Sequence, residues 1–185
     1  MRKVFGRLLW IPATLFMSFA VIAVFVLVMK NGTGNGGATF WTAAAKKQAD
    51  EIAVNCSDEE QKVKAFYEWI IVNIEYDYSF NEKYQYFDAD KTLETKKGIC
   101  YDYANLFAAF CRTQNITCYV IDGYKRADPN VKHTWNRLYF NESWWNVDLT
   151  YDAQCRESGS AVYGFKKLIN GCDSPDDEYV ITRIY

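Results

Sequence analysis

Fourteen residues from Cys100 to Thr113, CYDYANLFAAFCRT, set Tyr103, Leu106, Phe107, Phe110 and Cys111 at steps of three and four. That spacing is the apolar face of a helix. A face this aromatic needs cover from several other elements, so the stretch reads as the central buried helix of its domain. The Gly98 break just before it fixes the start, and Cys100 then falls in the first turn. A sulfur there meets the positive end of the helix dipole and N–H groups that the helix leaves unused, both of which favour thiolate over thiol. Position alone does not assign a role, because most free cysteines behave as small buried hydrophobes.

The cover is legible on both sides of that helix. Thr42 to Val54 is helix-compatible, and SDEE from Ser57 to Glu60 offers a capping box in which the Ser57 hydroxyl and the Glu60 carboxylate serve each other's end of a first turn. A helix follows it, with Val63, Phe66, Tyr67, Ile70, Ile71 and Ile74 as its stripe. Tyr76 to Asp90 lacks a clean period and reads as a long loop. Thr117 to Tyr124 is β-branched and aromatic, a strand ended by Gly123. His133 to Phe140 and Ser143 to Leu149 form a hairpin around Asn141 and Glu142. Beyond Asp152 the chain is turn-rich, and EYVITRIY at the end supplies one last strand.

The amino-terminal segment is of another kind. An uncharged run from Leu8 to Met29 follows Arg2, Lys3 and Arg7, and as a helix rising about 1.5 Å per residue it is long enough for a hydrocarbon core of about 30 Å. Residues 1–30 are thus expected to be a cytoplasmic start and a single-pass transmembrane helix, with the remainder outside by the positive-inside bias. A cleaved signal peptide is the alternative, giving a secreted form. NGTGNGG from Asn31 to Gly37 makes 31–39 a flexible linker, and 40–185 is the domain. At 185 residues with a net charge of −2 and scattered cations, the chain has no basic face to follow a phosphate backbone, which excludes nucleic acid as a partner.

An outside location makes six cysteines candidates for bridges. Cys155 could pair with Cys172 across the polar tail and Cys111 with Cys118 across a helix-to-strand turn, although sequence does not decide pairing. If Cys100 stays free, at least one of the remaining five, Cys56 included, is unpaired within a monomer. No CxxC occurs, and no metal or other cofactor is expected.

The single histidine of the chain, His133, starts a strand. With a two- or four-residue hairpin loop, residue 135 pairs with 148 and residue 133 with 150, so Asp148 is a diagonal neighbour of His133 on the same face, about 7 to 8 Å away between α-carbons. A three-residue loop would turn it to the other face. Cys100, His133 and Asp148 divide as nucleophile, proton carrier and orienting carboxylate. Trp135 shares the His133 face and forms a wall for an extended peptide, whereas Trp144 and Trp145 point to opposite faces. Asp102 reads as a helix-start charge and Asp122 as a strand-end polar residue.

GICYDYANL from Gly98, HTWNRLYF from His133 and WWNVDLTYD from Trp144 together resemble the three blocks of the transglutaminase-like superfamily, over about Val63 to Asp152. The resemblance implies an α+β, papain-like transglutaminase-core fold, with a central helix carrying Cys100 packed on an antiparallel sheet that carries His133 and Asp148. It also implies acyl transfer or hydrolysis on peptide or protein amides through a thioester. IEYDYSF from Ile74 resembles a further block of microbial members, which makes Tyr76 and Tyr78 candidates for lining the site or assisting the oxyanion. The short build with an anchor points to a microbial surface protein. No flanking β-domains and no D-x-D-x-D-G loop are present, so calcium dependence is not carried over. Some superfamily members only bind partners, so an inactive module recognising peptide or cell-wall ligands is the alternative.

Overall fold

The computed structural model describes residues 41, 43–79, 88–168 and 178–185, all within one compact unit spanning Thr33–Tyr185. The expected transmembrane run over 8–29, the linker over 31–39 and Cys172 lie outside the described residues. Among those described, no helix is long and apolar enough to cross a membrane.

Two helices open the domain, α1 (Ala43–Ala53) and α2 (Glu59–Asn73). The stripe of α2 is buried as its spacing requires, from Val63 to Ile71, with Ile74 closing its end. Its cap sits one residue later than SDEE suggests. Asp58 is the N-cap and accepts from the Gln61 N–H at 2.8 Å, while the Gln61 side chain reaches back to the Ser57 N–H. A carboxylate at 58 competes better for those donors than the Ser57 hydroxyl, which leaves Glu60 free to pair with Lys64 on the outer face.

Strand β1 (Glu75–Tyr76) pairs in parallel with β2 (Lys97–Gly98), and α3 (Ala89–Thr95) lies between them in the chain. This two-residue ladder sets Tyr76 beside Gly98, and the Asp77 N–H extends it to the Gly98 carbonyl. The central helix α4 (Cys100–Thr113) has the predicted bounds. Tyr103, Leu106, Phe107 and Phe110 on it have no exposed surface, and large side chains buried this fully contribute about 1.5–3 kcal/mol each.

The sheet that covers α4 runs β6-β5-β4-β3-β7, each neighbouring pair antiparallel: β3 (Thr117–Lys125), β4 (Asp128–Phe140), β5 (Ser143–Val147), β6 (Lys166–Lys167) and β7 (Tyr179–Ile184). β3 does not stop at Gly123 but continues to Lys125. Glycine is needed there because a Cβ would stand 2.7 Å from the Val180 carbonyl and 3.0 Å from the Trp135 ring. The β4–β5 loop holds two residues, Asn141 and Glu142, with φ of 50° and 56°, the left-handed pair that suits the twist of a tight hairpin. Phe140 therefore pairs with Ser143 and Asn136 with Val147, in the register that places Asp148 on the His133 side. Buried Asn136 then ties sheet to helix, donating to the Ala104 carbonyl of α4 at 2.9 Å.

The turn-rich reading beyond Asp152 is replaced by a helix, α5 (Leu149–Ser158), capped by Asp148 and closed by Gly159 in the left-handed region. Its inward residues, among them Leu149, Thr150, Asp152 and Ala153, mix polar with small and give no apolar stripe. A buried carboxylate holds the helix instead: Asp152 accepts from the Tyr67 hydroxyl of α2 at 2.7 Å and from the N–H groups of Tyr163 and Gly164. Cys111 and Cys118 are free thiols rather than a bridge. Both are buried, the Cys118 thiol bonded to the Tyr119 carbonyl, and burial, with the neighbouring Cys118, raises the Cys111 thiol pKa well above its usual range. Cys155 and Cys56 are also free.

Candidate active site

Cys100 takes its place from the turn before it. Ile99, extended at φ −100° and ψ −176°, is the last residue outside α4, and its N–H is accepted by Asp102 at 2.9 Å. Asp102, fully buried, is thus the helix-start charge its position suggests. Gly98 is required by proximity, because a Cβ on it would lie 2.5 Å from the Asp102 Cβ. The result is a half-exposed sulfur on the first residue of a helix whose leading N–H groups have no partner within the helix.

His133 and Asp148 converge from β4 and from the cap of α5. Nε2 of the ring lies 2.5 Å from Oδ2 of Asp148, and both side chains are only 16% exposed. The other carboxylate oxygen accepts from the Tyr151 N–H at 3.0 Å, so one acid orients the imidazole and starts a helix. Cys100 lines the same cavity as this ring, with its sulfur near enough to favour the ring's charged form. Burial works against the charged imidazole. The opposing carboxylate, its hydrogen bond and the nearby sulfur outweigh that penalty and push the His133 pKa up to about 10. Through neutral pH the ring therefore keeps its proton.

Trp135 does share the His133 face. Its ring is stacked at 6.0 Å from the imidazole, and Tyr179 of β7 closes the cluster at 5.4 Å from His133 and 5.3 Å from Trp135. Trp135 is almost wholly buried, so it shields the imidazole more than it presents a peptide wall. Trp144 stacks on Tyr119 and Trp145 on Phe140, the opposed directions expected of adjacent strand residues.

Tyr76 lines the cavity at Cys100, where burial and then the sulfur's charge raise its phenol pKa, keeping the hydroxyl a donor at neutral pH. Tyr78 packs on Tyr76 at 4.8 Å but is 71% exposed and lines none of the cavities around the sulfur. Its strand partner is gone, since β1 ends at Tyr76 and the chain turns away at Asp77.

A cavity of about 720 Å³ opens beside Cys100 and His133, and two smaller ones continue it past Asp148 toward Tyr151 and Tyr179. Its far wall was not legible as functional in sequence. Asp122, predicted as a strand-end polar residue, accepts from Thr134 at 2.9 Å and from two nitrogens of Arg183 at 2.9 and 2.7 Å. Tyr179 and Arg183 lie in a segment whose alternation signals only a strand. Among the described residues no cluster of three or more His, Cys, Asp or Glu side chains is arranged to hold a metal ion.

Comparison with known proteins places this arrangement. The family model described as the transglutaminase-like superfamily matches residues 46–149, from α1 to the start of α5. Human kyphoscoliosis peptidase is 30% identical over 136 residues, 65% of this chain and 21% of that protein. A protein of Methanocaldococcus jannaschii, UPF0252 protein MJ1282, is 33% identical over 73 residues, 35% of the chain. The chain thus spans about a fifth of the length of these curated relatives. The periplasmic domain of TgpA from Pseudomonas aeruginosa superposes with a TM-score of 0.50 at 22% identity, covering 62% of this chain and 44% of that one, a likeness of fold alone. With the helix-borne cysteine, the antiparallel sheet and a family match across more than half its length, the chain belongs to the transglutaminase-like superfamily.

Proposed function

We propose that this domain is a thiol acyl-transfer enzyme acting on peptide or glutamine-type amide bonds, with Cys100, His133 and Asp148 as its triad. The observation that carries the reading is one imidazole near a helix-start sulfur and bonded to a carboxylate, at the mouth of a large cavity. The sulfur attacks the amide carbon, and the carbonyl oxygen takes up negative charge. In this reading the Cys100 N–H and the Tyr76 hydroxyl, both from residues that line the cavity, donate to that charge. The imidazolium gives its proton to the departing amine, leaving a thioester on Sγ and a neutral ring. Water or an incoming amine then loses its proton to the ring and attacks the thioester, expelling the sulfur as thiolate beside the restored imidazolium. Asp148 fixes the ring's orientation and offsets its charge throughout.

The run over 8–29 anchors the domain at a membrane, facing outward, in this reading; the three cations before that run support the orientation. Kyphoscoliosis peptidase carries its activity in its name, which agrees with amide-bond cleavage as the first half of the reaction. Hydrolysis and transfer diverge only at the second step. Incubation with a glutamine-containing peptide library and an amine-tagged probe separates them, since tagged products mean transfer and shortened or deamidated products mean hydrolysis. Absence of both, with Cys100 unreactive toward an amide-mimicking electrophile, would sink the reading and leave a binding module.

A further inference from the structure

The cavity beside Cys100 has an uneven balance of charge. Its one described carboxylate, Asp122, is consumed by Thr134 and by Nε and Nη2 of Arg183. The hydroxyl of Thr182 is spent on the Asp122 carbonyl and the Asn130 amide on Asp128. Two cationic residues of the lining then remain. Nη1 of Arg183 lies outside the Asp122 pair, on a side chain that is 60% exposed and whose guanidinium rests over the Tyr185 ring at 4.2 Å. Lys132, directly before His133, is exposed and has no acidic partner among the described residues. The other lysine near the triad, Lys125, is already paired with Glu178 at 3.2 Å.

We infer that Lys132 and Arg183 form a seat for a carboxylate of the substrate, so that the preferred amide is one whose neighbouring segment carries a free acid. This rests on the acyl-transfer reading of Cys100 and names the class of substrate it works on. Arginine fits the role because the edge not used by Asp122 still presents fixed donors to a planar acid. Lysine adds the uncompensated charge. The acid has two possible sources, a peptide's C-terminal carboxylate or an Asp or Glu side chain, and both meet the same chemistry.

Thiol alkylation tests the seat without requiring turnover. The full chain in non-ionic detergent is treated with iodoacetyl-glycylglycine as free acid, with its carboxamide, and with iodoacetyl-glutamyl amide; the rate of modification at Cys100 is read by peptide mass mapping. The free acid or the glutamyl reagent should react about two- to fivefold faster than the carboxamide, the range expected of exposed ion pairing. Whichever is faster names the source. The advantage should shrink in Lys132→Met and in Arg183→Gln, and fade as salt is raised. Equal rates would overturn the inference, as would an advantage unchanged in both variants, which would belong to the imidazolium instead. Should Arg183→Gln fail to fold for want of the Asp122 pair, Lys132→Met, at an exposed and unpaired position, decides alone. A carboxylate preference without turnover of any amide supports the seat and counts against acyl transfer; turnover with no preference does the reverse.

Discussion

Two helix starts meet at His133, and they do different work with the same backbone feature. At α4 the first residue is Cys100 itself, and the Asp102 carboxylate is spent on the Ile99 N–H before the helix, so no side chain caps the helix's own N–H groups and Cys100 lines the cavity. At α5 the Tyr151 N–H is taken by one oxygen of Asp148, whose second oxygen is left for the imidazole. In the proposed reaction one helix start is left for a substrate's developing charge; the other is closed by a charge that the protein supplies. An amino terminus can thus serve as donor to a reaction or as clamp on a reactant, and the residue at the cap decides which.

The open start should be the more sensitive. Cys100→Ala is expected to abolish turnover, a loss of about 10⁴-fold or more, while the thermal midpoint stays near that of the parent because a half-exposed sulfur contributes little to packing. Activity that survives the change would remove the nucleophile from α4 and end the comparison.

The closed start combines two tasks that substitution can separate. Asp148→Asn keeps an oxygen for the Tyr151 N–H and loses the charge opposite the imidazole, so the helix cap should hold, the stability owed to the His133 pair should be lost, and the rate should fall by about 10²- to 10⁴-fold. Asp148→Ala loses both, adding about 1 kcal/mol of destabilisation. The pH profile gives the sign. His133 is held protonated up to about 10, so the parent's proton-donating step should decline only as pH rises through that value. In Asp148→Asn the largest influences raising the ring's pKa are gone and burial, which lowers it, remains, so the alkaline limb should move to lower pH. An alkaline limb at the same pH in both proteins would mean that another group carries the proton.

Much of the open start could be read in advance and little of the closed one. α4 has a clean apolar period and a glycine before it, which fix both its bounds and the place of Cys100 in its first turn. The diagonal placement of Asp148 followed from a two-residue loop, and Asn141 and Glu142 do adopt the left-handed pair that such a loop demands. That Asp148 leaves the strand to cap a helix was not legible, because α5 is held by the buried Asp152 and its three donors instead of by an apolar stripe. The cavity wall was hidden for a different reason. Asp122 and Arg183 lie sixty-one positions apart and meet only through the β3–β7 pairing, a long-range contact that local pattern does not encode.

Gly98→Ala probes the geometry of the open start without touching its chemistry. The added methyl must displace Asp102, with a cost of about 1–3 kcal/mol in stability and a loss of rate as the first turn shifts. The nearest atom in the way is the Asp102 Cβ, which Asp102→Ala would keep, so it is Asp102→Gly in the Gly98→Ala background that removes the opposing side chain. A double variant better folded than Gly98→Ala alone would locate the strain between those two side chains.

The smallest effect belongs to a third helix start, remote from the chemistry. Asp58 caps α2 as Asp148 caps α5, but its second oxygen meets only the exposed Gln61 amide and Ser57 hydroxyl. Asp58→Ala should therefore cost about 1 kcal/mol in a denaturant titration and leave kcat, KM and the alkaline limb of the folded enzyme where they were. A cap that serves only a helix differs from one that also serves a reaction by that silence in the kinetics. A rate loss at Asp58→Ala comparable to that at Asp148→Ala would show that destabilising any helix start disturbs turnover, and the special position given to Asp148 would then rest on its pH signature alone.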